Sequence, residues 1–92
     1  MPELIHEHAL RVESTDGEVY VPRTFGQLRE DGTWKGWIEF YPLSGVGPVL
    51  ITGQETSQSS RDALAYWASG LEPLYFEGAF SRAMEEVPAD RI

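Results

Sequence analysis

The chain contains no cysteine. That removes disulfides, thiolate nucleophiles and cysteine-ligated zinc together, and it points to a cytoplasmic protein. Histidine is almost as scarce, with only His6 and His8. No stretch approaches the roughly 20 apolar residues that span a bilayer, so no membrane association is expected. Met1 to Ser14 carries Glu3 and Glu7 and has no apolar run, unlike a signal peptide. Bases are few: seven Lys and Arg stand against fifteen Asp and Glu, a net charge of −8. A field of that sign repels phosphate backbones, so nucleic-acid binding is not expected. The acids serve solubility or form a docking surface for a basic partner. Mimicry of nucleic acid would need them concentrated on one surface, and they are spread along the chain. No Ser lies in a G-x-S-x-G turn, and Gly45-Val46-Gly47-Pro48 lacks the Lys and the following helix of a phosphate-binding loop.

What is present describes a folded protein. Hydrophobic residues make up 41% and charged residues 24% of the chain, ordinary values for a globular domain. Eleven aromatics bury enough area to offset ordering entropy. Ninety-two residues make a single small domain, 1–92, with a thin core.

The front half reads as strands and tight turns. His8, Leu10 and Val12 alternate with Arg11 and Glu13, a strand period. Asp16-Gly17 and Asp31-Gly32 predict hairpins with type I′ turns. Val19-Tyr20-Val21 starts the second strand. Pro22, which has no N–H to donate, predicts an edge or a bulge. Phe25 and Leu28 differ in parity, which suggests a bulge near Gly26. Trp34, Ile38 and Phe40 then share one face with Gly36, and Lys35, Trp37, Glu39 and Tyr41 share the other. Val49 to Ile51 forms a fourth strand after the loop Pro42–Pro48. The expected apolar sheet face is Leu10, Val12, Val19, Val21, Trp34, Ile38, Phe40, Val49 and Ile51.

Ser57 to Met84 is the one long segment with helical spacing. It is expected to start at Ser57 or Ser59, where Ser59-Ser60-Arg61-Asp62 resembles a capping box. Leu64, Trp67, Ala68 and Leu71 form one apolar stripe; Tyr75, Phe76, Ala79, Phe80 and Ala83 form a second. In an unbroken helix, at about 100° per residue, the two stripes would point about 140° apart. Gly70 suits a left-handed C′ position and Pro73 the first turn of a new helix, so a break is favoured over a kink. In the kinked alternative Tyr66, Phe76, Phe80 and Met84 remain outside as a second apolar face. Arg82 and Glu86 are spaced for a surface ion pair.

Candidate chemistry is sparse. His6 and His8 could supply two metal ligands, or simply sit as a surface pair. Glu55, in the polar segment Thr52–Ser60, is a candidate acid or base; the same residue could equally support the positive end of the helix. Trp37 and Tyr41 fall on the sheet face opposite Ile38 and Phe40. Aromatics among charges there suit a contact surface, or cross-strand packing against Tyr20, Arg11 or Arg23.

Antiparallel strands, the segment Gly53-Gln54-Glu55-Thr56 and a helix opening Ser60-Arg61-Asp62-Ala63-Leu64 together resemble HicB-type antitoxins over about Ile51 to Ala65. The resemblance implies an acidic regulator of a basic toxin. The chain lacks the Gly-Gly-Tyr strand start usual in that family, and it adds a strand and a long aromatic helix. No site residue is therefore carried over.

The expected fold is α+β: a four-stranded, mainly antiparallel meander, then a helix broken or kinked near Gly70–Pro73 on one sheet face. The leading functional expectation is a non-enzymatic module that self-associates or docks a protein partner. Trp37, Tyr41, Phe76 and Phe80 are its contact candidates, and no cofactor is implied. The alternatives are a small-ligand or hydrolytic enzyme with a site near Pro42–Pro48 and Thr52–Ser60, and an acidic regulator of a basic protein.

Overall fold

A computed structural model describes residues 1–85. Its strands are β1 (Glu3–Glu7), β2 (Val12–Glu13), β3 (Val19–Leu28), β4 (Trp34–Pro42), β5 (Leu50–Ile51) and β6 (Thr56–Gln58). Two helices follow, α1 (Arg61–Ser69) and α2 (Pro73–Glu85). Every strand pairing is antiparallel, and the fold is α+β as expected. The strands lie in four rows. β1 and β2 run end to end along one side of β3, β4 takes its other side, and β5 and β6 run end to end along the far side of β4. Among the described residues no helix is long and apolar enough to cross a membrane.

The interruption in the first row has a backbone cause. Alternate residues of an antiparallel strand turn their N–H and C=O to alternate sides. Glu18 C=O accepts from Ser14 N–H at 2.8 Å, whereas Val19 C=O accepts from Leu43 N–H at 2.8 Å. The even residues of β3 therefore face β1 and β2. Pro22 is even, so its missing donor falls between Glu7 and Val12, where His8 N–H donates to Pro22 C=O at 3.2 Å. The expected edge or bulge is thus a gap in the neighbouring row, and β3 itself is central and unbroken. It also displaces the first strand: the segment from His8 to Leu10 bridges β1 and β2 rather than opening a strand.

Both hairpins are built alike and differ from the expected type I′. Only Gly17 and Gly32 have positive φ, each +88°, and Asp16 and Asp31 do not. Each loop closes with a bond across three residues, Ser14 N–H to Glu18 and Arg29 N–H to Thr33. Each Asp accepts the N–H two residues on, at 3.1 Å in the first and 2.9 Å in the second. This is a type I turn followed by a glycine bulge.

The parity of β3 is the reverse of the expectation. Tyr20, Pro22, Thr24 and Gly26 are buried, while Val19 and Val21 lie on the other face with Arg23 and Gln27. β5 is reversed as well: Leu50 is buried, and Val49 and Ile51 are exposed. The polar residues Arg23 and Gln27 explain the first reversal, because their face must meet water. The segment Thr56–Gln58, which contains Ser57, one of the two expected helix starts, is a strand paired with Trp34–Gly36. The N-cap is Ser60, whose Oγ accepts from Ala63 N–H at 3.0 Å, so Asp62 supports the first turn without closing a capping box.

The helix does break. Gly70 ends α1 with φ −94°, not left-handed, through a tight final turn in which its N–H reaches Trp67 C=O at 3.2 Å. Pro73 then opens α2. The break lets both stripes serve one core: Leu64 and Ala68 from α1, and Phe76, Ala79, Phe80 and Ala83 from α2, are all buried. Phe80 packs on Tyr20 and Phe40, each with ring centroids 5.2 Å apart. The expected Arg82–Glu86 pair lies outside the described residues, because Glu86 does.

α1 seats through one close approach. Gly26 and Gly36 face each other across β3 and β4, and no bulge occurs at Gly26. Leu64 rests on the pair: a Cβ at Gly36 would lie 2.6 Å from Leu64 Cδ1, and one at Gly26 would overlap Leu64 Cδ2. Gly26→Ala and Gly36→Ala should therefore each lower stability by about 1–3 kcal/mol in urea unfolding. Gly70→Ala, with nothing nearer than 3.8 Å to its new methyl, should be neutral or stabilising by a few tenths of a kcal/mol. Equal costs at all three positions would refute the seating argument.

Candidate functional site

Both helices pack on the sheet face of Ile38 and Phe40. The opposite face carries no helix. Register places Val19, Val21, Arg23, Phe25 and Gln27 of β3 there, beside Lys35, Trp37, Glu39 and Tyr41 of β4. Leu4 pairs with Phe25, and Ile51 pairs with Glu39, so both edge rows add an aliphatic side chain to this face. They are 43% and 44% exposed.

The aromatics of this face are packed on one another. Phe25 lies 6.4 Å from Trp37, nearly parallel, and 6.4 Å from Tyr41. Arg23 stacks over Tyr41 at 4.4 Å, and Lys35 lies 5.4 Å from the Trp37 ring. Glu39 joins the two expected contact residues: Trp37 Nε1–H donates to Oε2 at 2.8 Å, and the Tyr41 hydroxyl donates to Oε1 at 2.5 Å. Burial and that bond to Glu39 push the Tyr41 phenol above its ordinary value. Trp37 is only 8% exposed. It is therefore the floor of the face, and Leu4, Tyr41 and Ile51 are its accessible part. Phe25, Leu4 and Ile51 were missed in sequence; strand period around Trp37 would have found Phe25 once the register was known.

The other site candidates fall elsewhere. Phe76 and Phe80 lie in the core, Phe76 fully buried and Phe80 9% exposed. Glu55 is not an open acid or base. Its side chain is 8% exposed, and Arg82 binds it through Nε at 3.0 Å and Nη2 at 2.6 Å, with the Tyr75 hydroxyl as a third donor. Burial alone would raise its carboxyl, but the bonds from Arg82 and Tyr75 outweigh it and hold the pKa below the usual value. The same arrangement raises Tyr75, first through burial and then through Glu55. The cluster ties α2 to the bend between β5 and β6. That bend is held by Thr52, whose Oγ1 accepts from Ile38 N–H at 3.0 Å.

His6 and His8 do come together, with ring centroids 4.7 Å apart. His8 Nε2, however, bonds Thr24 Oγ1 at 2.7 Å, and its ring rests 4.5 Å from Phe76. No group of three metal-ligating side chains occurs among the described residues. His8 is a core histidine: burial, and then the neighbouring His6, lower its pKa to about 4.

No family model, curated protein or solved structure matches this chain. The resemblance to HicB-type antitoxins thus has no family match behind it.

Because His8 binds a proton less readily in the folded state, stability should be full above about pH 6.5 and fall as pH drops toward about 4. The loss should reach about 3 kcal/mol at most. Urea unfolding across that range should show the loss, and His8→Gln should largely abolish it; an unchanged slope in the variant would contradict the assignment. Glu55→Ala, which strands Arg82 and Tyr75, should cost about 1–3 kcal/mol at pH 7, and a loss below about 0.5 kcal/mol would show that the cluster does not hold α2.

Proposed function

We propose that the protein is a small acidic, non-enzymatic interaction module that self-associates through the open face of its sheet. The observation that carries this reading is the face itself. It is apolar at its exposed points, aromatic beneath, and close to neutral: Arg23 and Lys35 oppose Glu7, Glu13 and Glu39 in a chain of net charge −8. Two copies repel each other elsewhere, and here a two-fold pair can set bases against acids. Four rows about 4.8 Å apart and a β3 of ten residues give a face of roughly 600 Å² in projection. That approaches the roughly 800 Å² per partner of a stable interface. The cysteine-free composition fits action in the cytoplasm.

The enzymatic alternative is less well supported. An acid or base needs a concave, partly dry site. A groove of about 310 Å³ lies between Gln27, Trp37 and Thr52, and a larger one lies against α2; neither is lined by Glu55 or by Pro42–Pro48. Light scattering and sedimentation should find a dimer at tens of micromolar. Ile51→Lys and Leu4→Lys should each weaken it at least tenfold without lowering Tm by more than about 2 °C. A strict monomer at several hundred micromolar, or a dimer indifferent to both changes, would refute the reading.

A further inference from the structure

A groove lies away from the open face. It holds about 560 Å³ and runs between the segment Leu10–Thr15 and α2. Val12 and Phe80 form its buried floor, Leu10 is half-buried beside them, and Met84 borders it 49% exposed. Pro73, Glu77 and Ser81 line its helical wall. The groove is apolar at its base, with Arg11, Glu13 and Glu77 among the polar groups around it, and its volume lies within the range of ligand sites.

Its other wall is a sheet edge. Ser14 N–H bonds Glu18, so Ser14 and Val12 turn their backbone toward β3, and the alternation turns Arg11 and Glu13 outward. Among the described residues the outward N–H and C=O of Arg11 and Glu13 have no backbone partner. An unpaired strand edge beside an apolar trough with a helical wall accepts an extended chain as one more strand. Such a strand alternates its side chains. One set would enter the trough over Val12, Phe80 and Met84, and the other would lie on the sheet face of Glu13. Acids flank the position: Glu13 on the edge and Glu77 on the helix, against Arg11, in a chain of net −8.

We propose that this groove binds an extended basic peptide, with apolar residues at alternate positions, by adding it as a strand to the β2 edge. A second copy of the chain fits poorly, because it brings another eight negative charges. The trough lies on the helix side of the sheet, and only the strand's outer side chains reach the open face, beside Glu13.

The test uses the full chain and the peptide acetyl-(Val-Lys)4-amide, titrated by ¹⁵N–¹H NMR. Binding should be sub-millimolar, with shifts concentrated at residues 10–15 and 73–84. Two control peptides, (Val-Glu)4 and a block peptide of four Val then four Lys, should bind at least tenfold more weakly. Glu77→Gln should weaken binding several-fold. Glu13→Pro, which removes an outward donor and spares the bonds to β3, should weaken it at least fivefold. No shifts at 1 mM peptide, shifts centred on Tyr41 and Ile51, or equal binding by the block peptide or by Glu13→Pro would each overturn the proposal.

Discussion

Two apolar stripes must reach one sheet, and that constraint shapes everything C-terminal to Ser60. A continuous helix would turn Phe76 and Phe80 away from Ile38 and Phe40, leaving two phenyl rings in water at a cost of about 1.5–3 kcal/mol each. The tight final turn of α1 at Gly70 and the new start at Pro73 remove the conflict by re-aiming α2. Phe76 and Phe80 then close over the sheet, and Trp67 meets Tyr75 edge-on at 5.9 Å across the break. Because both helices serve the same face, the other face is left to itself.

The sheet is adapted to this one-sided load. Gly26 and Gly36 flatten it under Leu64 so that α1 can approach. Arg61 fastens the start of α1 to β1 through Glu3 at 2.9 Å, and Glu55 fastens α2 through Arg82. Both edge rows are interrupted, at the Pro22 gap on one side and at Thr52 on the other. Short, bent edge strands resist indiscriminate pairing between sheets. The stretch of edge beside α2 is different: a helical wall and an apolar floor accompany its outward backbone groups.

The open face shows how little exposure an aromatic face needs. Glu39 holds Trp37 and Tyr41, Arg23 covers Tyr41, and Phe25 supports both rings. Such a surface is already ordered before any partner arrives, so little side-chain entropy remains to be lost on contact.

The sequence by itself determined the class of fold, the antiparallel order of the main rows, the two hairpins and the two apolar stripes, and it favoured a helix break over a kink. Each of these rests on local chemistry: Asp-Gly at the turns, Pro73 at a helix start, helical spacing between Ser60 and Met84. The absence of cysteine likewise excluded disulfides and thiolate chemistry. Tertiary structure decided the parity of β3 and β5: Val19, Tyr20 and Val21 are all apolar, and the rings of α2 on one face together with Arg23 and Gln27 on the other select which is buried. It alone showed that Pro22 interrupts the neighbouring row, that Gly26 is a seat rather than a bulge, and that Glu55 is spent on Arg82 and Tyr75. Those outcomes depend on residues 14 to 60 positions apart meeting in space, from His8 and Pro22 to Tyr20 and Phe80, and no local pattern carries that information.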